Sequence, residues 1–96
     1  MYYEKKMSIR EFEQLFKAVG SKRRIAIIKY VKRNPGASVF EVAEEIGLAF
    51  RTTSKHLGIL STVGILEREQ SGFRAAYVII RELTPEAKAV VALITA

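Results

Sequence analysis

The chain has 96 residues, of which 49% are hydrophobic, and 16 Lys and Arg against 10 Asp and Glu leave a net charge of +6. This is the size of one small domain, apolar enough to build a core and too hydrophobic for a disordered segment. The absence of cysteine excludes disulfides, thiolate-bound zinc and thiol catalysis, and no run approaches the roughly 18 apolar residues of a membrane-spanning helix.

The positive charge points to an anionic partner, nucleic acid before a membrane surface. It is unevenly spread. Residues 1–37 carry ten basic and three acidic side chains, residues 38–64 two and three, and residues 65–96 four of each. The opening "MYYEKKMSIREFE" has no apolar stretch behind its lysines, so no secretory leader is expected and the cytoplasm is the expected compartment.

Helix signals then follow in series. Ser8 and Glu11 make a capping box, and Ile9, Phe12, Leu15, Phe16 and Val19 recur with helical period up to Gly20, which offers a left-handed stop. Ser21 can cap a second helix. Its inner face is Ile25, Ile28 and Val31 with Ile27 beside them, its outer face Lys22, Arg23, Lys29, Lys32 and Arg33, and Asn34-Pro35 ends it. Arg24 is expected to pair with an acid. Ser38 and Glu41 form a second capping box for a short third helix with Val39, Val42, Ala43 and Ile46 inward and Gly47 as its stop. A fourth helix is expected from about Arg51 to Val63. Thr53, His56, Leu57 and Leu60 form its inner stripe, and Gly64 closes it.

The pattern then changes. Two runs on either side of Ser71-Gly72, Ile65 to Glu69 and Arg74 to Ile80, read as a β-hairpin. Thr84-Pro85-Glu86 opens a last helix that is apolar on nearly every side from Ala89. The expected fold is mainly α with one small hairpin, in the order α-α-α-α-β-β-α. Helices three and four, joined at the Gly47 turn, make a helix-turn-helix, and the hairpin after them makes it winged.

From about Phe12 to Ile80 the chain resembles the ArsR-type winged-helix repressors. The resemblance rests on "FKAVGSKRRIAII", "EVAEEIGLAFRTTSKHLGILSTVGIL" and "GFRAAYVI", and most specifically on Ser54-Lys55-His56-Leu57 with Leu60 and Gly64-Ile65-Leu66. It implies a dimeric transcription regulator, a repressor, that reads the major groove of double-stranded DNA with the fourth helix, touches the flank with the wing and dimerises through its terminal helices. The cysteines of the family's metal sensors are Ser38 and Phe40 here. The last helix, "TPEAKAVVALITA", lacks the Asp and His of a second family metal site, and Ser21-Lys22 stands where Asp-Pro is common. The DNA role therefore carries over and metal sensing does not. No cofactor or metal is expected, and no residue motivates a small-molecule effector.

The residues themselves allow these assignments. Phe50, Arg51, Thr52, Ser54, Lys55 and His56 are expected at DNA, with Gly58 permitting close approach; Arg and Lys suit guanine edges, and hydroxyls suit bases or phosphates. Phe50 either meets a thymine methyl or sugar, or packs on the third helix. His56 either packs and hydrogen-bonds or meets a phosphate, the first being favoured, because a lone histidine lacks the partners of a metal site or a catalytic set. In the wing, Arg68, Ser71, Gly72 and Arg74 are expected at phosphates or the minor groove, diluted by Glu67 and Glu69. The whole chain, 1–96, is expected to be a single winged-helix domain, with helix 8–19 and helix 85–95 as dimerisation elements through Ile9, Phe12, Phe16, Val90, Val91, Leu93 and Ile94. An enzyme is not expected, since no acid, base or nucleophile is clustered. The rival reading is a winged-helix protein-interaction module that no longer reads DNA.

Overall fold

A computed structural model describes residues 6–96, with Ser71 described through its backbone alone. Five helices and three short strands occur in the order α1 (Ile9–Val19), α2 (Lys22–Arg33), β1 (Ala37–Ser38), α3 (Val39–Ile46), α4 (Phe50–Thr62), β2 (Leu66–Ser71), β3 (Arg74–Ile79) and α5 (Pro85–Ile94). Both capping boxes form: Ser8 accepts from the Glu11 N–H and Ser38 from the Glu41 N–H, and each glutamate accepts from its serine's N–H in return. Ser21 and Thr84 cap α2 and α5 in the same one-directional sense, and Pro85 takes the first position of α5.

Two local expectations are corrected. Gly20 caps α1 with φ −81°, outside the left-handed region, and its N–H returns to the Phe16 carbonyl. The sharp reversal into Ser21 is made without a positive φ. The second correction is β1. Ala37–Ser38 pairs antiparallel with β3, placing Ala37 opposite Tyr77 and Ser38 opposite Ala76, so the hairpin is part of a three-stranded sheet ordered β1-β3-β2. Ser38 thus serves at once as the last strand residue and the cap of α3. That double use is why two residues suffice to fasten α3 to the sheet.

The core is one cluster. Leu15 of α1, Ile27, Ile28 and Val31 of α2, Val39 and Val42 of α3, Leu57 and Leu60 of α4, and Ile65, Leu66 and Tyr77 of the sheet region are buried together, with Ala87 and Val91 of α5 against them. Burial of this order, at about 25 cal/mol for each Å² of apolar surface, is the main term that holds so short a chain folded. α4 lies across this core with Thr53, Leu57 and Leu60 inward, so its opposite side is forced to solvent. Among the described residues no helix is long and apolar enough to cross a membrane.

Candidate nucleic-acid interface

The turn that sets α4 is built at Gly47, whose φ of 68° lies in the left-handed region that a side chain resists. The N–H groups of Gly47 and Leu48 both close onto the Ala43 carbonyl, at 3.1 Å for Leu48. The chain then re-enters a helix at Phe50, one residue before the expected start.

α4 differs from its four companions at its N-terminus. Ala49 provides no side-chain cap, whereas each of the others has one; as in α2, no acid occupies the first turn, and Arg51 stands there. The whole helix, FRTTSKHLGILST, contains no acidic residue. Arg51, Lys55, Gly58 and Thr62 are exposed at i, i+4, i+7 and i+11, which is one stripe of a helix. Thr52 is exposed beside it and Ser54 is half-buried. A side chain built on Gly58 would meet nothing within 4 Å, so the glycine answers no packing need within the chain.

Thr53 is fully buried and donates its hydroxyl to the Ala49 carbonyl at 2.9 Å. Phe50 packs on the third helix. Its ring lies 4.6 Å from that of Phe40 at an interplanar angle of 44°, yet it remains 47% exposed and Phe40 71%.

His56 turns away from the stripe. The Arg24 guanidinium donates to its Nδ1 at 3.0 Å and also to the Ala18 carbonyl at 2.6 Å and the Lys17 carbonyl at 3.3 Å. Arg24 can only donate, so Nδ1 accepts and the ring is neutral with its proton on Nε2. Burial, then the charges of Arg24, Arg23 and Lys55, hold the imidazole below its usual pKa. The expected acid partner of Arg24 is replaced by the carbonyl end of α1, where the helix dipole favours a cation. One guanidinium thereby ties α1 and α2 to α4.

The other basic residues of α2 divide. Lys22, Arg23, Lys29 and Arg33 gather along a cleft between α2 and α3 beside Tyr30 and Glu45, and Arg23 donates to the Ile46 carbonyl at 3.3 Å. Lys32 lies on another side, near Arg81 and Lys88.

In the wing, Gly72 has φ 63° at the first of two loop residues, as a tight hairpin requires. Arg68 is exposed and opposite Tyr77. Arg74 is ion-paired to Glu41 of α3. Glu41 therefore holds the Ser38 N–H and the turn end of the wing together, and its carboxyl titrates below its ordinary value, first because of the Ser38 backbone and hydroxyl bonds and then because of Arg74. The side chain of Ser71 lies outside the described residues.

The sequence reading missed three residues here: Phe40, Glu41 as a wing anchor, and Phe73, which is fully exposed at the hairpin tip. A signal existed for the first. Phe40 is a large apolar residue off the Val39, Val42, Ala43, Ile46 stripe, and such a residue must face outward. At the terminal helices, Ile9 and Leu93 are 89% and 79% exposed, Phe16 is exposed, and Phe12, Val90 and Ile94 are half-buried. Val91 differs from its expected place: at 4% exposure it belongs to the chain's own core.

A family model described as winged helix-turn-helix DNA-binding matches residues 21–67, from the cap of α2 into β2. An uncharacterized HTH-type transcriptional regulator of Methanocaldococcus jannaschii, MJ1325, is 30% identical over 73 residues, covering 76% of this chain and 82% of that protein. Reduced HlyU from Vibrio cholerae superposes with a TM-score of 0.72 at 25% identity, over 88% of this chain and 85% of its own. The homodimeric winged helix-turn-helix domain of Mb0332 from Mycobacterium bovis, a possible ArsR-family regulator, superposes with a TM-score of 0.74 at 23% identity, over 95% of this chain and 86% of its own. The chain belongs to the winged helix-turn-helix family of DNA-binding transcriptional regulators and has the ArsR-type fold.

Proposed function

We propose that the protein is a sequence-specific repressor that binds double-stranded DNA as a homodimer, with α4 in the major groove and the hairpin on the flank. The observation that carries this reading is the exposed Arg51–Lys55–Gly58 stripe on a helix free of acids. Arg51 and Lys55 donate to guanine edges, Thr52 and Ser54 to bases or phosphates, and the uncapped first turn of α4 suits a phosphate oxygen. His56 acts from behind the stripe, holding α4 in place through Arg24.

In the wing, Arg68 is the phosphate contact, and Arg74 orients the hairpin through Glu41. The α2–α3 cleft, with Lys22, Arg23, Lys29 and Arg33, supplies sequence-independent attraction to the backbone. The chain acts as one domain in the cytoplasm, and α1 and α5 pair it with a second copy through Ile9, Phe16 and Leu93, flanked by Phe12, Val90 and Ile94. The homodimeric state of Mb0332 and the exposure of those residues support this assembly. Occupation of an operator by such a dimer blocks transcription by exclusion.

The test is selection of bound duplex from a random pool, followed by a salt titration. The expected result is a two-fold symmetric motif whose log affinity falls steeply with log salt, by about 0.9 for each phosphate neutralised. Enrichment of no motif, with no retention of any duplex at low salt, would favour a protein-interaction module instead.

A further inference from the structure

Phe40 and Phe50 are an unusual expense for a small domain. Two large aromatic rings stand on the surface, 71% and 47% exposed, although the chain has a well-filled core a few residues away. Their mutual contact, with centroids 4.6 Å apart, is a tilted aromatic pair that fixes the Phe50 ring. The pair bridges the first turns of both motif helices, Phe40 being the second residue of α3 and Phe50 the first of α4.

What surrounds the pair narrows its occupant. Arg51 follows Phe50 directly, and no acid lies in α4 to oppose an anion. On the α3 side Glu41 is ion-paired with Arg74, and Glu44 is the exposed acid one turn beyond Phe40. An apolar spot with Arg51 beside it, at the head of a helix free of acids, fits a partner that offers apolar groups within an anionic frame. In duplex DNA that group is the thymine 5-methyl, which projects into the major groove between the phosphate-lined walls. A protein surface would more often be met by a wider apolar area with charge at its rim.

We infer that Phe40 and Phe50 form a thymine-methyl reading element: Phe50 makes the apolar contact, and Phe40 is a positioning residue that holds the Phe50 ring against the floor of the groove. This rests on the proposed placement of α4 in the major groove and adds a specificity that its Arg and Lys do not supply. Arginine and lysine select guanine; the aromatic pair selects a thymine near the end of each half-site.

The experiment uses the selected operator with single thymines replaced in turn by uracil, which removes only the methyl group. Wild-type protein is expected to lose about fourfold in affinity at one thymine of each half-site, the loss appropriate to one methyl group leaving an apolar contact. Phe50→Ala should bind the thymine and uracil duplexes equally, Phe50→Leu should keep part of the discrimination, and Phe40→Ala should reduce it without touching DNA itself. Both side chains are exposed, and circular dichroism melting checks that each of the three variants is folded. Indifference of the wild type to every uracil, with Arg51→Ala still impaired, would overturn the inference and leave the reader helix standing. Indifference accompanied by an unimpaired Arg51→Ala would remove both.

Discussion

Arg24 and His56 join the backbone end of one helix to the side of another, and their bond works in one protonation state only. A proton on Nδ1 would set two cations 3.0 Å apart. The folded imidazole titrates below its usual value of 6.5, so the unfolded chain binds more protons in the interval between the two values. This contribution to stability is complete above about pH 6.5 and is lost as pH falls toward the folded value. Glu41 acts in the same sense at lower pH, since its depressed carboxyl contributes fully above 4.5 and loses that contribution only as pH falls below it. Chemical denaturation between pH 5.5 and 7.5 should therefore show the wild type weakening on acidification. His56→Asn, whose amide oxygen can accept from Arg24 without titrating, should flatten that slope, and equal slopes would contradict the assignment. Mid-helix glycine costs about 0.5–1 kcal/mol relative to alanine, and open space surrounds Gly58. Gly58→Ala should raise thermal stability and lower operator affinity together, as checked by melting and by mobility shift.

At the scale of elements, the motif is fastened at both ends by side-chain devices. Ser38 closes β1 and caps α3, and Glu41 completes that box while holding Arg74 of β3. The pose of the wing is thus set from α3 rather than by the hairpin alone. Glu41→Gln retains an acceptor for the Ser38 N–H but loses the charge that holds Arg74. Hydrogen exchange should then accelerate in β2 and β3 while α3 keeps its protection; unchanged exchange in the hairpin would show that the ion pair does not restrain it. Helices α1, α2 and α3 were legible because capping residues and 3.6-residue periodicity agree, α4 from its periodicity alone, and α5 from its Thr84-Pro85-Glu86 start. β1 was not, because two residues carry no period, and the Ser38 cap signal absorbs the strand signal. The geometry at Gly20 was illegible for a similar reason: glycine permits a positive φ without requiring one. The partners of Arg24 come from residues 6, 7 and 32 positions away, a relation that only the packed fold establishes.

At the scale of the molecule, most of the net charge sits outside the proposed reader. Residues 1–37 hold ten of the 16 basic side chains, and four of those on α2 line its cleft with α3. In the proposed complex, charge placed there raises affinity for any duplex, whereas Arg51 and Lys55 are the residues proposed to rank one sequence above another. The exposed Ile9, Phe16 and Leu93 belong to the same scale, being apolar surface that one copy leaves in water. Sedimentation should report a dimer, Phe16→Glu or Leu93→Glu should shift it toward monomer, and operator binding should then become weaker and less cooperative. A wild-type monomer would remove the two-fold assembly from the account. The outward face of α4 was readable in the sequence because Leu57 and Leu60 fix the inward one. The aromatic pair was not, since Phe40 and Phe50 meet only after the Gly47 turn has been made.

Whether α4 reads the operator is tested by the affinity of Arg51→Ala and Lys55→Ala for the selected operator and for an unrelated duplex at one salt concentration. Each substitution should cost roughly 1–3 kcal/mol on the operator if its side chain holds a base edge, and much less on the unrelated duplex, where only one charge is lost. Equal losses on both duplexes, or none on either, would contradict α4 as the reader.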